Sequence, residues 1–232
     1  MSGQEITIKG QDGDFMGYLA RPSVSQGSGI VVIQEIFGVN HFVREIADHY
    51  AKAGYFALAP DLFWRIEPRI NITDKTDAEW KKAFDLFGKF DQGLGVQDIE
   101  TTIGTLRNIP GCNGKVGTVG FCLGGLMAYL SATRTSTDGS VGYYGVSIDT
   151  HLEEAKTIKK PLMLHIAAKD QFVDAAAQAK IKEGLGKHPL VTLHVYGEQD
   201  HAFARTGGQH YDKAAAELAE KRTADFFKKA LS

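Results

Sequence analysis

Only two cysteines, Cys112 and Cys122, occur among 232 residues, so no disulfide framework is available and a reducing compartment is expected. Neither sign of charge is in excess: 26 Lys and Arg stand against 28 Asp and Glu, for a formal net charge of −2. With no long run of one sign, nucleic acid and anionic membrane surfaces are not expected as partners. No stretch reaches the about 18 uninterrupted apolar residues of a membrane span, and the opening MSGQEITIKG lacks the apolar core of a secretory signal. A cytoplasmic protein is the expectation. The eight histidines are scattered without metal-ligand spacing, so no zinc site is legible. What remains is 43% hydrophobic and 23% charged, ordinary for a globular chain. Its length suits one core, and a single domain spanning 1–232 is expected.

Along the chain, strand and helix signals alternate. Glu5 to Lys9 and Phe15 to Ala20 flank the turn signal Asp12-Gly13, predicting an antiparallel hairpin. Ile30 to Ile33, Phe56 to Ala59, Lys115 to Val119, Val141 to Tyr144, Pro161 to Ala167 and Val191 to Tyr196 read as further strands. Helical spacing covers Val43 to Ala53, Asp77 to Phe87, Val96 to Leu106, the segment after Cys122, Ala175 to Leu185 and Tyr211 to Leu231. Gly93-Leu94-Gly95 reads as a connection, and Pro110 to Gly114, with Cys112 inside it, as a turn. Leu62 to Thr73 is irregular and rich in aromatics and arginine, as a pocket-lining loop would be. This pattern predicts an α/β fold: a mainly parallel sheet covered on both faces, with an antiparallel start.

The organising stretch is Lys115 to Leu126, KVGTVGFCLGGL. A strand runs into Gly120-Phe121-Cys122-Leu123-Gly124-Gly125 and a helix follows at once. A G-x-nucleophile-x-G turn strains its central residue and needs flanking positions without a Cβ where strand and helix approach. The helix N-terminus behind Cys122 favours thiolate over thiol and can hold a developing oxyanion. The bland alternative is a small buried cysteine in a tightly packed turn.

In open parallel sheets ligands sit beyond the carboxyl ends of the strands. Glu35, Cys122, Asp170 and His201 all occupy such positions. The chain order nucleophile, acid, histidine is that of an α/β-hydrolase. Cys122 would attack a carbonyl carbon, His201 would shuttle its proton, and Asp170 would orient the imidazole. The backbone N–H groups of Leu123 and Ile36 are the natural oxyanion donors. Asp174 and Asp200 are rival acids, although Asp200 adjoins His201 in the chain. For Glu35 the alternative is a carboxylate tipped into solvent at a strand end. Asp170 could instead cap the helix starting near Asp174.

These residues, together with Gln34-Glu35-Ile36-Phe37-Gly38-Val39-Asn40, Gly117 to Gly125, Val141 to Val146 and His201-Ala202-Phe203-Ala204-Arg205, resemble the dienelactone hydrolase (carboxymethylenebutenolidase) family over almost the full length. The resemblance implies an α/β-hydrolase fold, a Cys122-His201-Asp170 triad, no cofactor, a monomer, and hydrolysis of an unsaturated cyclic ester. It also implies that Glu35 is tied to Arg205 at rest and swings to deprotonate Cys122 when an anionic substrate occupies that arginine.

The departures from the family bear on substrate. Trp80, beside Lys81, stands where a second carboxylate-binding arginine is usual, Ala202 where a serine is usual, and Phe84 where a tyrosine is usual. Arg205 alone remains of that polar set. Phe37, Phe63, Trp64, Trp80, Phe84, Tyr144 and Phe203 are candidates to line the pocket or to belong to the core. The expected partner is a small ester or lactone, with an anionic one accommodated by Arg205. The competing readings are a broad carboxylesterase or thioesterase with an aromatic pocket, and a thiol-based binding or redox-sensing protein on the same fold.

Overall fold

The computed structural model describes residues 3–232. Eight strands and six α-helices alternate along it: β1 (Gln4–Lys9), β2 (Asp14–Ala20), β3 (Gly27–Ile33), α1 (His41–Lys52), β4 (Phe56–Pro60), α2 (Asp77–Lys89), α3 (Gln92–Arg107), β5 (Cys112–Phe121), α4 (Leu123–Arg134), β6 (Gly139–Tyr143), β7 (Leu162–Ala167), α5 (Ala175–Leu185), β8 (Val191–Tyr196) and α6 (Lys213–Ala230). Two short 3-10 helices, Ile148–Thr150 and Leu152–Thr157, join β6 to β7. The sheet order is β1-β2-β4-β3-β5-β6-β7-β8. The fold is of the α/β-hydrolase type, mainly parallel with an antiparallel N-terminal hairpin and helices on both faces.

The chain divides into two compact units, Met1–Gly117 and Thr118–Ser232, with β5 running from one into the other. In the first, β1 pairs antiparallel with β2 from Gln4↔Leu19 to Lys9↔Asp14, and β2 pairs antiparallel with β4. β3 then pairs parallel with β4, its Ile30, Val31, Val32 and Ile33 fully enclosed. Four β-branched residues in a row suit a strand covered on both faces. In the second unit β6, β7 and β8 are parallel neighbours. The side chains of β7 are buried along its whole length, whereas β8 is largely accessible.

The helix boundaries follow their caps. Asn40, Thr76, Asp91, Asp174 and Asp212 each accept a backbone N–H from the first turn of the helix they precede. The cap at Asp91 places Gly93 and Gly95 inside α3 rather than in a connection. Cys112 likewise opens β5, where the Pro110–Gly114 turn reading had placed a loop. Its N–H bonds to the Ile109 carbonyl at 2.9 Å, so the turn spans Ile109 to Cys112. Tyr144 falls outside β6 because its φ of 38° breaks the extended backbone. α4 differs from the five capped helices: Cys122 holds its N-cap position and supplies no side-chain hydrogen bond. Every residue from Leu123 to Ala132 is buried, as expected of a helix apolar on all sides.

Candidate active site

Cys122 has φ 57° and ψ −114°, a conformation that L-residues rarely adopt. The surroundings hold it there. Its N–H bonds to the Tyr143 carbonyl at 3.1 Å, and its carbonyl accepts the N–H of Gly125 at 2.9 Å. Glycine is required around it for space. A Cβ on Gly120 would lie 1.9 Å from the Gly124 carbonyl oxygen, and one on Gly125 would lie 2.6 Å from both Gly145 Cα and the Tyr143 oxygen. Leu123 is the first residue of α4, so its N–H has no acceptor within that helix.

Asp170 and His201 follow β7 and β8, two adjacent parallel strands, which sets them side by side although they are 31 residues apart. His201 Nδ1 meets Asp170 Oδ2 at 2.9 Å and Oδ1 at 3.1 Å, with both side chains buried. Asp170 Oδ1 also accepts the N–H groups of Phe172 (2.8 Å) and Val173 (3.2 Å). The helix-capping role falls to Asp174. On its other side His201 is hydrogen-bonded to the Cys122 side chain. Burial disfavours the imidazolium, but attraction to Cys122 and the bond to Asp170 together outweigh it, and the His201 pKa is pushed up to about 10. The arrangement is a thiol, an imidazole and a carboxylate in hydrogen-bonded series.

The loop carrying Asp170 is fixed by Gln178, whose buried amide donates to the carbonyls of Val173 (2.8 Å) and Ala168 (3.3 Å). Ala202 has φ 62°, and a run of turns follows it: Arg205 N–H bonds to the Ala202 carbonyl at 2.9 Å and Asp212 N–H to that of Phe203 at 2.9 Å. Arg205 is buried. Phe203 has no exposed surface and lies between Tyr144 (5.6 Å between centroids) and Tyr196 (4.7 Å). Tyr144 in turn meets the His201 ring at 5.1 Å.

In the first unit, Glu35 is 1% exposed, which removes the reading of a carboxylate tipped into solvent. It stands in a loop built to shape. Gln34 Oε1 accepts the Leu62 N–H at 3.1 Å, and Asn40 caps α1 while donating to the Ile72 carbonyl at 3.1 Å. A Cβ on Gly38, at φ 77°, would lie 2.0 Å from the Ile70 oxygen. Ile36 is buried in the same loop. Phe37 meets Trp80 edge-on at 5.1 Å, and Trp80 stacks on Phe84 at 5.5 Å, so three of the predicted pocket aromatics form one ladder. The outer member, Phe84, is 48% exposed. Phe63 is wholly buried against Phe90. Trp64 stacks on Phe15 at 5.5 Å, donates to Asp98 at 2.9 Å, and lines a cleft with the β1–β2 hairpin.

One group of potential metal ligands occurs among the described residues: His151, Glu153 and Glu154, with ligand atoms within 4.8 Å of one another. Arg134 already engages both oxygens of Glu154, at 2.5 and 2.8 Å, and this is the main cause holding its pKa down to about 2. The guanidinium thus fills the place a cation would take. Among the described residues no helix is long and apolar enough to cross a membrane.

Sequence reading missed Phe172. Its ring lies 4.8 Å from that of His201 at 77°, yet the side chain is 44% exposed. An aromatic two residues after the predicted acid was the available signal. His165 was also missed. It is enclosed in β7, bonded to Tyr196 Oη (2.8 Å) and Thr223 Oγ1 (2.9 Å).

The chain is similar to known proteins in both sequence and fold. The family model described as the dienelactone hydrolase family matches residues 15–231. A carboxymethylenebutenolidase of Pseudomonas putida is 40% identical over 222 residues, covering 95% of this chain and 94% of its own. Carboxymethylenebutenolidase 1 of Cupriavidus pinatubonensis is 37% identical over 221 residues, with 95% and 94% covered. Among solved structures, a dienelactone hydrolase-like promiscuous phosphotriesterase from metagenomic libraries superimposes at a TM-score of 0.82 and 20% identity, with 100% of both chains covered; at that identity it supports the fold.

Proposed function

We propose, for a chain that belongs to the dienelactone hydrolase family and is a carboxylic ester hydrolase, that Cys122 is the nucleophile that opens a small lactone or ester through an acyl-enzyme. The supporting observation is the hydrogen-bonded series from Cys122 through His201 to Asp170, built on a strained turn at a helix N-terminus. Cys122 Sγ adds to the carbonyl carbon as the thiol proton passes to His201, and the carbonyl oxygen becomes an oxyanion received by the N–H groups of Leu123 and Ile36. The C–O bond then breaks, and His201 returns the proton to the leaving alkoxide. In a lactone that alkoxide stays on the acyl chain. Water, deprotonated by His201, releases the acid and regenerates the thiol. Asp170 keeps Nε2 as the working nitrogen by engaging Nδ1.

In the family that the chain resembles, the thiol proton leaves by way of Glu35, on its path to His201, once a substrate carboxylate has taken over Arg205. The substrate reading that follows is a small lactone or ester carrying a carboxylate, of the 4-carboxymethylenebut-2-en-4-olide type. Phe37, Trp80 and Phe84 add an aromatic wall, and Tyr144, Ala202 and Phe203 complete the substrate-binding set. The enzyme works as a single-domain cytoplasmic monomer without cofactor, metal, nucleic acid or membrane partner.

The test is hydrolysis of a dienelactone carboxylate and of a neutral aryl acetate by the unaltered protein and by Cys122→Ala. Activity on both, abolished in the variant and with the carboxylate preferred, is expected. Turnover that survives Cys122→Ala removes the nucleophile assignment. Cleavage of the neutral ester alone moves the substrate to the broad carboxylesterase reading, which the stacked Trp80–Phe84 pair, with Phe84 exposed, favours.

A further inference from the structure

Phe172 presents a combination that packing alone does not call for. An aromatic side chain that is 44% exposed sits nearly perpendicular to the imidazole of a buried histidine, 4.8 Å away. Its backbone N–H donates at 2.8 Å to Asp170 Oδ1, an oxygen that also faces His201 Nδ1 at 3.1 Å. The Phe172 backbone and the acid are thereby tied to each other within one short loop. Tyr144 approaches the same imidazole at 5.1 Å and 62°, from a backbone held at φ 38°. Two aromatic rings therefore border the imidazole, while the carboxylate and the thiol occupy its hydrogen-bonding positions. Of the two aromatics only Phe172 is accessible to solvent; Tyr144 is buried.

We infer that Phe172 is a positioning residue for His201. It blocks rotation of the imidazole away from Asp170 and keeps bulk water off the Asp170–His201 hydrogen bond. A half-exposed aromatic makes a weak contribution to the core, so its main effect falls on the ring it touches. The inference rests on His201 being the proton shuttle proposed above, since a histidine that passes a proton between thiol, leaving group and water must keep one orientation through all three transfers.

The experiment pairs kinetics with proton NMR on Phe172→Ala and Phe172→Tyr. For Phe172→Ala, kcat on an aryl acetate is expected to fall about tenfold with KM little changed, as loss of orientation rather than of binding. The downfield imidazole proton shared with Asp170 is expected to broaden through faster exchange with water. Phe172→Tyr, which keeps the ring, is expected to restore both. A raised KM with unchanged kcat would make Phe172 a substrate contact and overturn the inference, as would a sharp downfield proton in Phe172→Ala. The NMR signal reads the hydrogen bond without turnover, so failure of the esterase assignment in Cys122→Ala is distinguished from failure of this one.

Discussion

Asp200 adjoins His201 in the chain, yet its Oδ1 accepts the backbone N–H groups of His201 (2.6 Å) and Gln171 (3.2 Å), while the imidazole turns to Asp170. The two acids therefore have separable tasks. Asp170→Asn should lower kcat by about 10²-fold or more by losing the charge that stabilises imidazolium, whereas Asp200→Asn, which keeps an acceptor oxygen, should cost less than about tenfold. Steady-state kinetics on one ester decides between them; equal losses would contradict the division.

His201 owes part of its raised pKa to Cys122. In Cys122→Ala that attraction is gone and burial, which opposes the charge, remains, so the pKa should fall from about 10. Titration of the His201 ring by NMR in the two proteins measures the difference. The same shift links to stability: a histidine whose folded pKa exceeds the unfolded value contributes fully below the latter, about 6.5, and loses that contribution as pH rises through about 10. Urea midpoints between pH 8 and about 10.5 should decline more steeply for the unaltered protein than for Cys122→Ala.

His165 behaves oppositely. Burial, followed by repulsion from His194 and Arg222, holds its pKa well below 6.5. The unfolded chain takes up a proton that the folded one refuses, so stability is full above about 6.5 and declines as pH falls below it. His165→Gln should reduce this dependence between pH 7 and pH 5, as urea denaturation would show, while costing some stability at pH 7 through imperfect bonds to Tyr196 and Thr223.

Gly125→Ala should be severe. The added methyl would press on the Gly145 backbone and the Tyr143 carbonyl at 2.6 Å, atoms that cannot rotate away. A loss of about 2 kcal/mol or more is expected, with a lowered melting temperature. Gly54→Ala also places a Cβ at a positive φ, 98°, but meets nothing within 4 Å. It should cost about 1 kcal/mol, from backbone strain alone. Thermal denaturation of the pair separates packing from strain.

Much of this was written locally. The G-F-C-L-G-G turn, the apolar run of α4 and the β-branched run of β3 declare themselves because near neighbours in sequence determine them. Asp170 was legible as the residue following a buried strand. Phe172 was not, because an aromatic in a loop gains its meaning from the ring it touches, and His201 lies far along the chain. Nor was Trp64, whose sequence leaves pocket, core and surface open; it stacks on Phe15 of β2.

The sequence by itself determined the order of strands and helices and the strained cysteine turn, since propensity, glycine placement and hydrophobic period act over a few residues. Only the tertiary structure decided which acid serves His201. Parallel pairing of β7 with β8 delivers Asp170 to the imidazole, while the side chain of Asp200 is engaged by backbone N–H groups. A contact between residues distant in the chain is set by strand register, and register belongs to the folded sheet.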